Sequence, residues 1–216
     1  MDKKNVLSQA FTWLCIGLFI CFGVSYLATI NDEVTLMVYG ALGGYAYIIY
    51  AVIELVLVIF LAVRIRKMQP LTAKLVYSLY TGFTGLSLGG LFVYYTKSSI
   101  AFVFLATAII VGVFAYIGKH TNMDLTKAGT FLMIALLAII LLELINMFIL
   151  NNTLNMILCI ACIVIFAGYI AYDIKTALMM AEAGGFQNDG IYLAFQLFLD
   201  FINIFIRLLQ LFGKRD

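Results

Sequence analysis

The chain has 216 residues, of which 65% are hydrophobic and only 11% charged, and it carries a net charge of +2. Soluble domains run at roughly 45–50% apolar and about 25% charged, so an ordinary water-soluble globule is excluded. The small positive balance is spread along the chain, which gives no basis for binding nucleic acid or an acidic partner.

A membrane-crossing helix needs roughly 20 apolar residues, and the chain accommodates seven of them with short connections. The apolar runs place the spans at about 9–30, 36–63, 72–95, 99–118, 128–150, 154–176 and 190–212, one all-α transmembrane domain filling residues 1–216. The first run follows Asp2, Lys3 and Lys4 as a secretory signal would. It is longer than a signal's 7–15-residue core, which makes it a retained span. Short connections predict that successive helices pack as antiparallel neighbours. The sole proline, Pro70, stands where the third span begins, a position that tolerates its missing N–H.

Lys3, Lys4, Arg64, Arg66, Lys67, Lys74, Lys119, Lys127 and Lys175 collect on one side, against Lys97 in the opposite loops. The positive-inside rule then predicts a cytoplasmic N-terminus, although Lys214 and Arg215 at the far end run against it. Gly82, Gly85, Gly89 and Gly90 with Ser87 make the third span a small-residue stripe for close helix packing. Cys15, Cys21, Cys159 and Cys162 all lie inside apolar runs and read as packing residues. His120, with no clustered Cys or His, reads as a loop residue.

An ionisable group inside the membrane costs at least about 2.5–3.5 kcal/mol on insertion scales, so each needs a partner or a water-filled cavity. Glu54, Arg64, Glu143, Asp173, Asp200 and Arg207 are such groups. The midpoint of Asp173 and Asp200 is residue 186.5, inside the predicted turn from Glu182 to Asp189. In an antiparallel hairpin this places both at one depth, roughly 13 Å along each helix from the turn. Two facing carboxylates away from water cannot both ionise cheaply and should share a proton, which makes a pH sensor. A divalent cation such as calcium could take the proton's place. Arg64 or Arg66 could instead close over the pair as a salt-bridged latch that opens on protonation. Glu54, Glu143 with Asn146, and a last-helix stripe of Asp200, Asn203 and Arg207 would line the same polar route.

The stretch Phe198-Leu199-Asp200-Phe201-Ile202-Asn203-Ile204-Phe205, with Leu208-Leu209 and Phe212-Gly213, resembles the signature last helix of the Bax inhibitor-1 family. Tyr172-Asp173, Glu54 before a basic helix end, and Gly85-Leu86-Ser87-Leu88 resemble further parts of the pattern, and the similarity covers essentially the whole chain. The resemblance implies a seven-helix bundle whose last helix is enclosed by the other six. It also implies a pH-sensitive calcium leak with the paired aspartates as sensor and calcium-binding site, and no enzyme activity or required cofactor. The compact chain looks like the bacterial members, in a bacterial cell membrane, with the lipid bilayer, calcium and protons as partners; a monomer is plausible and the sequence leaves the oligomeric state open. Family members tend to carry a basic residue where this chain has Gln210, so an outer contact to Glu54 would fall to Arg207, one turn away.

Two other functions compete. Tyr172-Asp173 and Asp200 on successive helices also resemble the aspartate pair of presenilin-like intramembrane proteases. Against that reading, no Gly-x-Gly precedes Asp200 and no Pro-Ala-Leu motif exists, because Pro70 is the sole proline. The other is a non-conducting scaffold that holds membrane partners on its glycine-rich and aromatic faces.

Overall fold

A computed structural model of the chain describes residues 3–40, 45–121 and 126–215. The elements in order are α1 (Lys3–Ala28), α2 (Asp32–Thr35) running into a π-helical turn (Leu36–Gly40), α3 (Ala46–Arg64) with a closing 3-10 turn (Ile65–Lys67), and α4 (Pro70–Tyr94). They continue with α5 (Lys97–His120), α6 (Thr126–Ile149), α7 (Asn152–Glu182) and α8 (Asp189–Phe212). No strand occurs among the described residues, and all of these helices except α2 are long and apolar enough to cross a membrane. The chain is therefore an all-helical, multi-pass membrane protein.

Within the second predicted span, 36–63, Leu36–Gly40 form the π-helical turn and α3 runs from Ala46 to Arg64. Asn31 accepts the Val34 N–H at 2.9 Å, and Asp32 and Glu33 follow in the first turn, so an independent short helix starts there. The same predicted span includes residues 41–44, which lie outside the described residues, as do 122–125 of the predicted 119–127 connection. The predicted Lys97-Ser98-Ser99 connection is also corrected, because α5 already begins at Lys97. The predicted 154–176 span proves too short, since α7 continues to Glu182. Pro70 takes the first helical position of α4 after an extended Gln69, as expected.

The contacts divide into two compact units. The first comprises Met1–Lys97, Gly184–Phe195 and Arg215–Asp216. Its main packing is α1 on α4. At Gly85 a β-carbon would collide with the backbone of Cys21, so only glycine permits this approach, and Ser25 Oγ donates to Gly85 O at 2.7 Å across it. Tyr77 donates to the Trp13 carbonyl at 3.0 Å, and Tyr39 to that of Leu86 at 2.7 Å, which ties the π-helical turn to α4. The turn between α7 and α8 takes its shape from Gly184, at φ +101°, a conformation open to glycine at no steric cost.

The second unit comprises Ser98–Ala183 and Gln196–Lys214. Here α6 packs on α7, and Gly118 of α5 lies so close to the Ala171 backbone that a side chain is excluded. Lys175 Nζ donates to Thr121 O at 2.8 Å, and the rings of Phe104 and Phe201 pack 5.2 Å apart. Asn151 caps α7 by accepting the Leu154 N–H at 3.0 Å. Just before it, Leu150 has φ 55°, the one non-glycine positive φ among the described residues.

Candidate functional site

Charges within apolar helices were the signal in the sequence, and the second unit holds two buried and two half-buried ones in two clusters. Asp173, on α7, is 5% exposed, and Asp200, on α8, is 4% exposed. Gln196 Nε2 donates to Asp173 Oδ1 at 2.9 Å. Gln196 stands one turn before Asp200 and therefore projects from the same face of α8, the spacing that points to it in the sequence. Asp200 is within electrostatic reach of Asp173, and its Oδ2 is fully buried with no hydrogen-bond partner among the described residues.

Buried polar atoms in native proteins are nearly always partnered, and an unpartnered carboxylate oxygen is among the costliest exceptions. Two carboxyl groups with one amide donor between them are short of donors. A proton on one of them, or a cation between them, supplies what is missing. Among the described residues no cluster of three or more His, Cys, Asp and Glu is arranged to hold a metal. A calcium ion at this pair would thus complete its shell with carbonyl oxygens and water, as that hard, adaptable ion does.

The second cluster is compensated. Arg207 of α8 pairs with Glu143 of α6 at 2.5 Å, and its Nη1 donates to Gln210 Oε1 at 3.1 Å. Cys159 Sγ donates to the same oxygen at 3.2 Å. Gln210, the position where the family's basic residue is missing, thus serves as an acceptor for Arg207. Asn146 Oδ1 accepts the Asn151 N–H at 3.1 Å and so closes the α6–α7 junction, while Asn203 donates within its own helix to Leu199 O at 2.8 Å. Cys159 and Cys162 are both buried free thiols, as their apolar context predicts.

In the first unit, Glu54 accepts from Thr84 Oγ1 at 2.9 Å. Arg64 is exposed in the last turn of α3, whereas Arg66 is held tightly. Its Nε and Nη2 reach Asp189 Oδ1 at 2.9 and 2.7 Å, and its guanidinium lies 4.7 Å from the Phe186 ring centre and 5.0 Å from that of Tyr192. Asp189 Oδ2 also accepts the Phe186 N–H at 2.7 Å. Asn188 donates to Ile65 O and Met68 O at 3.1 and 2.6 Å. The sequence distinguishes neither arginine. The structure does, because the 3-10 turn carries Arg66 onto the turn that precedes α8. Asp189 escaped notice because it read as an ordinary turn residue.

Comparison with known proteins fits these features into one lineage. The chain is 32% identical to an uncharacterized protein of Borreliella burgdorferi, over 99% of this chain and 93% of that one. It is 31% identical to the inner membrane protein YbhL of Escherichia coli, over 98% and 92%, and 30% identical to an uncharacterized protein of Rickettsia prowazekii, over 98% and 90%. Residues 3–216 match the family described as "Inhibitor of apoptosis-promoting Bax1". The chain, seven membrane-length helices with its aspartates on the last two, therefore belongs to the Bax inhibitor family.

Proposed function

We propose that this protein is a pH-sensitive calcium leak of a bacterial cell membrane, with Asp173 and Asp200 as the proton sensor and the calcium-facing site. The observation that carries the reading is the buried Asp200 Oδ2, which has no donor among the described residues and lies within electrostatic reach of a second buried carboxylate. With one proton shared, the pair carries a single negative charge. Loss of that proton adds a second charge that needs a counter-charge, either calcium or a guanidinium. Arg64 or Arg66 at the end of α3 is the proposed latch, because a rigid donor fork suits a carboxylate, and Arg66 would have to exchange its partner Asp189 for the pair. Protonation of the pair releases it, so flux rises as pH falls.

The bacterial relatives, one of them named an inner membrane protein, support the location. The distribution of Lys and Arg supports a cytoplasmic N-terminus.

The test is purified protein in liposomes loaded with a calcium dye, with flux measured from pH 6 to 8. Wild type is expected to conduct, with more flux at the acidic end. Asp173→Asn together with Asp200→Asn keeps the shape and removes the ionisable groups, so the pH response should flatten. Absence of calcium flux across the whole range rejects the leak, and an undiminished pH response in the double variant moves the sensor elsewhere, to Glu54 or Glu143.

A further inference from the structure

The α6–α7 junction borders a cavity of about 450 Å³ that neither Asp173 nor Asp200 lines. Its size falls within the roughly 300–1,000 Å³ of small-molecule sites. The walls are of two kinds. Ile140, Leu144 and Met147 follow one another at helical spacing on α6, all three exposed, and form one apolar stripe leading away from the junction. The opposite wall is polar and carries Asn146, Asn151, Glu143 and Arg207.

The hydrogen bonds show what the polar wall offers. The side-chain oxygens of Asn146 and Asn151 are committed to the N–H groups of Asn151 and Leu154. That fixes both amides and leaves their Nδ2 groups as the donors available to the cavity. Arg207 Nε is buried with no hydrogen-bond partner among the described residues. The N-terminus of the 31-residue α7 adds its partial positive charge at the same place. These donors suit an oxyanion. Glu143 is the single carboxylate in the lining, and its ion pair with Arg207 runs through Oε1, which leaves Oε2 as an acceptor for a ligand's ammonium. An oxyanion, a nearby cation with N–H donors and an apolar tail are the parts of one membrane molecule.

We propose that this cavity is a binding site for phosphatidylethanolamine. Its phosphate meets Arg207 and the Asn146 and Asn151 amides, its ammonium meets Glu143, and an acyl chain lies along Ile140, Leu144 and Met147. Phosphatidylglycerol lacks the cation, and the trimethylammonium of phosphatidylcholine has no N–H to donate.

The experiment is native mass spectrometry of the full-length protein offered an equimolar mixture of the three lipids. Wild type should retain one phosphatidylethanolamine, favoured about tenfold over each competitor, the equivalent of one charge-assisted hydrogen bond. Arg207→Ala would strand the Glu143 charge, so the informative variant is Asn151→Asp. It keeps the helix cap, replaces a donor with a negative acceptor, and should lower retention about tenfold. Glu143→Gln should narrow the preference over phosphatidylcholine. Equal retention of all three lipids, or retention unchanged by Asn151→Asp, means ordinary surrounding lipid and overturns the proposal. Displacement by free phosphoethanolamine at the same concentration as a short-chain phosphatidylethanolamine also overturns it, because the site would then be one for a soluble zwitterion.

Discussion

Two polar clusters sit on α8 only seven residues apart, and they solve the problem of buried charge in opposite ways. Around Arg207 the charges cancel: a guanidinium meets a carboxylate, with Gln210 as a further acceptor. Around Asp200 no described residue cancels the charge, since the neighbouring group is another carboxylate and one oxygen has no donor among the described residues. The first arrangement is what a helix needs in order to stay in a membrane, and the second is a deficit that the rest of the packing tolerates. A deficit of this kind changes state when a proton or cation arrives, whereas a cancelled pair has little to respond with.

That contrast can be broken in order of expected effect. Removing one half of the cancelled pair, with Arg207→Ala, leaves Glu143 uncompensated. It should cost about 3 kcal/mol, the low end for a broken buried pair because both side chains keep some exposure. Denaturant unfolding in detergent measures it. Glu143→Gln combined with Arg207→Gln should recover most of that loss, and failure to recover would mean that Arg207 matters through packing and not charge. In the first unit, Arg66→Ala removes two hydrogen bonds to Asp189 and two ring contacts, with an expected loss of about 2 kcal/mol in the same assay. The smallest effect concerns Asn151→Ala, which deletes the α7 cap and should cost about 1 kcal/mol, read as earlier amide exchange in the first turn of that helix.

The transmembrane helices were legible because a long apolar run has few other uses and one proline marked a boundary. The aspartate pair was legible from the cost of burying charge and from its symmetry about a turn. Residues doing ordinary things stayed hidden. Gln196 and Asp189 are common polar residues whose importance comes only from what the fold puts beside them. The short helix Asp32–Thr35 stayed hidden because its signal is one Asn cap and two acidic residues beside a long apolar run. Hydropathy averages over a window, whereas a cap acts at one residue.

The length of α7 has a consequence for which water the proposed sensor meets. Its 31 residues extend about 46 Å, against a hydrocarbon core of about 30 Å. Asp173 lies about 13 Å from the end of α7 at the α7–α8 turn and about 31 Å from its start at Asn152, so in the proposed leak it would trade protons more readily with the compartment on the side of that turn. In oriented liposomes an acid jump on that side alone should trigger the response, and an equal jump on the opposite side should not.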